Sequence, residues 1–378
     1  MSPSVILTLR ATRRRCEAGE FDMKEGKRVW NWLLFFVCAA VLTVGLVTQA
    51  ACARSVFAPP AVSCAGDNGT EKTLIPVGRT VGIKLFSKGV MVVALSEIQT
   101  TEGRVWPAKQ CGLQEGDIIT EIENQPVNSI DEVARAVRKN GGHAMAIQAL
   151  RDGRQMEVTA EAVPCMADGS YKLGAWLRDS MAGIGTVTYY DPEKQVFAAL
   201  GHGINDIDTG LLVPIRSGGI MSSSVSAVIK GQKSQPGQLH GTFDLTHDIG
   251  TLSANSDCGV LGSAQPEVFP GEAVPVAKRS AVRTGAAVIR CNVDGEEVEE
   301  YSVEILRIYP ELGDHTRNLL LQVNDKRLLE QTGGIVQGMS GSPILQDGKL
   351  VGAVTHVLLN DPTRGYGIFV ENMLDAVS

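Results

Sequence analysis

Apolar and polar positions alternate at short range through most of this chain. Between Arg79 and Val163 the runs VGIKL, GVMVVAL, DIITEIE, AMAIQAL and QMEVTAEAV are separated by turns such as Gln114-Glu115-Gly116-Asp117 and Arg151-Asp152-Gly153. A period of two bounded by turn residues predicts strands of a small barrel or sandwich. One stretch departs from that period. In NSIDEVARAVRKN, residues Ile130, Val133, Ala134 and Val137 fall at helical spacing, and Ser129 with Glu132 three residues on forms a capping box. A helix therefore starts near Ile130. From Cys165 to the end the pattern is strand-like again, in AGIGTVTYYDP, VFAALGHGI, GLLVPIRSGGI, EEYSVEILRIYP, LLLQV and KLVGAVTHVLL. The expectation is a mainly β protein with one folded domain over 79–163 and a second over 165–378.

The segment WNWLLFFVCAAVLTVGLVTQAACA, residues 30–53, carries no charge and is long enough to cross a bilayer core, which takes about 20 apolar residues. Seven basic residues against four acidic ones precede it, and basic flanks stay on the cytoplasmic side. Residues 1–29 then form a cytoplasmic N-terminus, 30–53 an uncleaved or late-cleaved signal anchor, 54–78 a linker, and all that follows is exported.

Composition narrows the function. With 44% hydrophobic and 20% charged residues the chain has material for sizeable cores, and 41 Gly, 16 Pro and 5% aromatics suit short strands and many turns. A net charge of -7 with no basic stripe excludes a nucleic-acid partner. The cysteines at 64, 111, 165, 258 and 291 lack CxxC spacing and read as small buried thiols. No metal or cofactor motif is present, so neither is expected.

Two glycine-rich turns carry the candidate chemistry. In Leu200-Gly201-His202-Gly203-Ile204 the flanking glycines leave an imidazole uncrowded at the end of a strand. In Gly338-Met339-Ser340-Gly341-Ser342-Pro343 two hydroxyls compete for attention. Ser342 precedes proline and is pushed to extended backbone, whereas Ser340 lies where a tight turn forms. A serine needs an imidazole to take its proton and a third group to orient that imidazole, so Ser340 and His202 are the candidate pair. The amides of Gly338 and Ser340 are the candidate oxyanion hole. Asp206 and Asp208 lie close to His202 in sequence and are candidate carboxylates.

These residues resemble known families. Val81-Gly82-Ile83 with PAKQCGLQEGDIITEIENQPVNSIDEVARAV is similar to a PDZ domain of bacterial proteases. The resemblance implies that Val81, Gly82 and Ile83 capture a peptide carboxylate and that the peptide adds as a strand beside the helix at Ile130. The turn at Ser340 resembles that of chymotrypsin-like serine proteases, which implies a chymotrypsin-like β-barrel peptidase domain. The whole arrangement resembles the stage IV sporulation protein B (SpoIVB) peptidase family. That resemblance implies Asp325 as the third member of a His202, Asp325, Ser340 triad. It also implies self-cleavage, a membrane-associated regulatory protein as substrate, a forespore-membrane location, and activation of a late sigma factor through an intramembrane protease. The competing expectation is a catalytically silent, peptide-binding scaffold.

Overall fold

The computed structural model describes residues 72–309 and 316–376. The expected N-terminus, the signal anchor and residues 54–71 of the linker lie outside the described residues. Among those described, no helix is long and apolar enough to cross a membrane.

Strand β1 (Thr80–Leu95) serves two modules at once. Its first half is paired on both sides within a barrel, and its second half pairs through Val90 and Met91 with β2 (Ile118–Ile122) of another module. Gly89, at φ +83°, sits where the partner changes, and a Cβ there would lie 2.8 Å from the Ile119 carbonyl oxygen. No side chain fits that approach. The module continues through α1 (Ile130–Asn140), β3 (Ala144–Arg151) and β4 (Arg154–Glu161), with β1 to β4 as consecutive antiparallel neighbours. Helix α1 begins as its sequence dictates. The Ser129 hydroxyl accepts the Glu132 N–H at 3.2 Å, the Glu132 carboxylate accepts the Asn128 N–H at 2.7 Å, and Gly141 ends the helix at φ +65°. Val133 and Val137 pack with Val90, Ile119 and Ile147 in this module's core.

Strand β5 (Ala175–Asp191) returns along β1, from Ala175 opposite Leu95 to Thr186 opposite Thr80. With β6 (Val196–Ala199), β7 (Ile215–Ile229), β8 (Gln238–Ser256) and β9 (Gly259–Ser263) it closes a ring of six antiparallel strands, in the order β1, β5, β6, β9, β8, β7 and back to β1. Val81, Ile83, Val187, Phe197, Ile220 and Val260 fill it. The first module is therefore an insertion between two adjacent barrel strands. The expected boundary at residue 79 is corrected accordingly: Thr80 to Ser87 belong to the barrel, because one 16-residue strand runs through both modules and its first half pairs with barrel strands on both sides.

A second closed barrel follows, from β10 (Gly285–Cys291), β11 (Glu299–Ile308), β12 (Leu319–Val323), α2 (Lys326–Thr332), β13 (Pro343–Gln346), β14 (Lys349–Val357) and β15 (Arg364–Phe369), with the ring order β10, β11, β12, β15, β14, β13. Strand β11 shows the period of two directly: Tyr301, Val303 and Ile305 are buried in the core while Ser302 and Glu304 point outward. Burial of a side chain such as Ile305 is worth about 1.5–3 kcal/mol. Cys291 is a fully buried thiol in this core, and burial pushes its pKa up to about 12. The barrels are joined by buried polar contacts, among them the Thr80 N–H donating to the Asn292 side-chain oxygen at 2.6 Å. The chain is mainly β, with the expected PDZ-type module and a barrel-built peptidase-type domain.

Candidate active site and peptide groove

His202 follows β6 through Leu200 and Gly201, which lie at φ +72° and +69°. Two successive left-handed residues turn the chain sharply off the strand. At Gly201 a Cβ would lie 2.9 Å from side-chain carbons of both Ile368 and Thr355, so this turn is pressed against the second barrel. The His202 Nδ1 donates to the Gly203 carbonyl oxygen at 2.8 Å, which leaves the lone pair on Nε2. Burial lowers the imidazole's pKa, against the opposing pull of the Gly203 carbonyl. The ring is therefore neutral at pH 7 and ready to accept a proton.

Ser340 comes from the turn between α2 and β13 of the second barrel. Gly338 and Gly341 flank it at φ +100° and +98°, and a Cβ on Gly341 would lie 2.0 Å from the Thr186 carbonyl oxygen. The turn is clamped from β5, where the Thr186 N–H donates to the Ser340 carbonyl at 3.0 Å and the Thr186 hydroxyl to the Gly338 carbonyl at 2.8 Å. Ser340 and His202 face one cleft of about 450 Å³, lined also by Ile184, Ile335, Gly338 and His356. The Ser340 hydroxyl donates to the Thr355 carbonyl at 3.0 Å and makes no hydrogen bond to His202. Ser342 is buried, and its hydroxyl donates to the Met339 carbonyl at 2.7 Å, a structural bond within the turn. Among the described residues no acceptor takes the N–H of Gly338 or of Ser340, although both neighbours, Met339 and Gly341, are bonded. Two unclaimed donors beside a hydroxyl are what an oxyanion requires.

Asp325 is not brought to this cleft. Its carboxylate caps α2, accepting the Arg327 N–H at 2.9 Å and the Ser302 N–H at 3.2 Å, and pairs with the Arg327 guanidinium at 3.1 Å. The Arg327 contact holds its pKa below the ordinary carboxylate value. The alternatives are committed elsewhere too: Asp206 and Asp208 both pair with Arg178. Among the described residues no carboxylate touches His202, and the partners of its ring are the Gly203 carbonyl and the ring of His356, 5.5 Å away between centroids. His356, on β14 one residue beyond Thr355, was not singled out from the sequence. Nothing in THV marks it apart from the imidazole itself.

The expected carboxylate-binding residues Val81, Gly82 and Ile83 are corrected by the pairing of β1. They lie near the start of β1 but are already paired on both sides, opposite Gly185, Ile184 and Gly183 on one and Ser222, Met221 and Ile220 on the other. Their amides are spent within the barrel, and Val81 and Ile83 are buried in its core. The groove beside α1 is built instead from the start of β5. Ile130, Val133, Ala134 and Val137 form one wall, and Leu173 to Leu177 the other. Gly174 turns at φ +73°, with its carbonyl accepting the Ser96 N–H at 2.8 Å. Residues Ala175 to Arg178 pair with β1 along one edge only, and the other edge faces the helix. That free edge can accept an added strand. The signal was present in sequence as Leu173-Gly174-Ala175, an apolar-glycine-apolar triplet of the same kind as Val81-Gly82-Ile83.

Comparison with known proteins finds two family models along the chain. A PDZ-domain model matches residues 107–151. A 98-residue stretch is 29% identical to the zinc metalloprotease RasP of Oceanobacillus iheyensis, covering 26% of this chain and 22% of that protein, so the chain spans less than a quarter of that relative's length. The crystal structure of Rv3671c protease, inactive form, aligns with 52% of this chain and 82% of its own, at 14% identity and a TM-score of 0.28. The model of SpoIVB peptidase S55 matches residues 169–374, which include both His202 and Ser340. With more than half of its length matched, the chain belongs to the SpoIVB peptidase S55 family.

Proposed function

We propose that this chain is an exported, membrane-tethered serine endopeptidase in which Ser340 is the nucleophile and His202 the general base. The observation that carries this reading is the cleft itself: a serine from one barrel and a neutral imidazole from the other line it together, next to two amides without acceptors. In the reaction the Ser340 hydroxyl leaves the Thr355 carbonyl, turns to His202 Nε2 and attacks the scissile carbonyl as its proton passes to the imidazole. The N–H groups of Gly338 and Ser340 take the oxyanion, the imidazolium protonates the leaving amine, and water repeats the sequence on the acyl-enzyme. The Gly203 carbonyl holds the tautomer that a carboxylate holds in a triad.

The groove between α1 and β5 binds an extended peptide with a free C-terminus in this proposal. The family supports the wider setting: with the catalytic part in the space between forespore and mother-cell membranes, the chain cuts its own linker and then a regulator in the membrane surrounding the forespore, releasing an intramembrane protease that activates a late mother-cell sigma factor. The alternative, a catalytically silent scaffold, is favoured by one observation, the Ser340 hydroxyl bonded to Thr355 rather than to His202.

A fluorophosphonate probe separates the two. The exported part is expected to become labelled at Ser340, with Ser340→Ala unlabelled and His202→Ala slowed by at least about a thousandfold. On full-length chain, Ser340→Ala is expected to keep its initial size while wild type shortens. A folded wild-type protein that resists the probe is the scaffold, and a Ser340→Ala chain that shortens normally is cut by another protease.

A further inference from the structure

Two consecutive residues of β5 hold opposite partners. Asp179 accepts the Ile130 N–H at 2.9 Å, at the start of the helix that walls the groove. Arg178 reaches the other way and grips the loop that leaves His202, with one guanidinium nitrogen on Asp206 and another 2.7 Å from Asp208. The Asp206 side chain is fully buried, and its other oxygen accepts the N–H groups of Asp208 at 3.1 Å and Thr209 at 2.9 Å, and the Thr209 hydroxyl at 2.9 Å. One carboxylate thus organises the turn from Asp206 to Gly210, only a few residues beyond His202. Burial would raise its pKa, but these bonds and Arg178 outweigh that and keep it charged. Removing the guanidinium would leave a buried charge without its counterion. The same strand then lines the catalytic cleft at Met181 to Ile184 and clamps the Ser340 turn through Thr186.

We propose that Arg178 is a positioning residue for His202, and that through it the orientation of the catalytic imidazole depends on the strand to which a groove peptide would add. The loop carrying Asp206 has no other cation on it among the described residues, so the ion pair is the one charged tie between the groove strand and the His202 loop. A peptide that adds to the free edge at Ala175 to Arg178 changes the set of the strand, and Arg178 carries that change to the turn beyond His202. The proposal rests on reading Ser340 and His202 as the catalytic pair.

The test measures the second-order rate of fluorophosphonate labelling at Ser340, with thermal melting as a check on folding. Arg178→Gln is expected to slow labelling by about 10- to 100-fold, the scale of a misplaced catalytic group, while Arg178→Lys, which keeps a cation on Asp206, recovers most of the rate. Ala134→Trp fills the groove from α1. It is expected to change the rate by at least about threefold in the wild-type background and to have no further effect in Arg178→Gln, which is non-additivity of the kind coupled residues show. The positioning role is overturned if folded Arg178→Gln is labelled at the wild-type rate, or if Arg178→Lys is as slow as Arg178→Gln. The link to the groove is overturned if Ala134→Trp leaves the wild-type rate unchanged or acts equally in both backgrounds. If wild type itself is not labelled, the catalytic reading fails and not this one alone.

Discussion

At His202 the ring Nδ1 is held by a backbone carbonyl, and Asp325, the expected carboxylate, caps a helix instead. A helix leaves its first N–H groups without partners, and Asp325 sits at the position that satisfies them, with Arg327 two residues on to neutralise its charge. Asparagine there keeps an oxygen for the cap and loses the ion pair. Asp325→Asn is therefore expected to lower stability by about 0.5–2 kcal/mol, the range for a weakened cap, and to leave the labelling rate of Ser340 within about threefold. Melting temperature and labelling rate measured on one preparation decide it. A thousandfold slower rate in a variant that melts like wild type would return Asp325 to the catalytic machinery. The glycine turns that bring His202 and Ser340 to one cleft were legible in sequence, because glycines that free a side chain are visible in one dimension. The partner of His202 Nδ1 was not, because the carbonyl of Gly203 is present at every residue and only the left-handed turn at Leu200 and Gly201 aims the ring at it.

At the scale of elements, the capped helix α1 was readable to the residue, since its signals are local. Of its apolar face, Val133 and Val137 are buried at the floor of the groove, while Ile130 and Ala134 are more open along its wall. The groove's other wall was not readable, because two apolar-glycine-apolar triplets lie at strand starts and only long-range pairing tells them apart. At Gly82 a Cβ would lie 2.5 Å from Phe243 and 3.2 Å from Met221 side-chain carbons, both on strands of the first barrel. Overpacking of this kind costs about 1–3 kcal/mol. Gly82→Val is expected to speed hydrogen exchange in the first half of β1, in β7 and in the facing part of β5, leaving α1 and the Leu173 to Leu177 segment as protected as before. Exchange that quickens in α1 alone, with the barrel unchanged, would put the peptide-binding loop back at Val81-Gly82-Ile83.

For the whole molecule, the mainly β character followed from short alternating runs, but the insertion did not. An insertion that enters and leaves through two neighbouring strands leaves no composition break, because β1 and β5 are continuous strands of 16 and 17 residues that each pass through both modules. This has a consequence for dissection. Deleting 79–163, the span that sequence patterning marks as one domain, removes a strand from the first barrel and opens its ring, exposing unpaired edges on β5 and β7. Deleting 88–178 cuts instead where the strands already lie side by side: Phe86 is paired with Ser180, and the Ser87 hydroxyl donates to the Asp179 carbonyl at 3.2 Å. An Asn-Gly turn joining Ser87 to Asp179 suits that antiparallel pair. The 88–178 deletion is expected to be soluble, to melt in a single cooperative transition, and to be labelled at Ser340 more slowly than wild type because Arg178 is gone with the groove. The 79–163 deletion is expected to aggregate or to lack a cooperative transition. Size-exclusion chromatography and calorimetry of the two proteins read the outcome, and a well-folded 79–163 deletion beside an aggregated 88–178 deletion would mean that the barrel does not need the first half of β1.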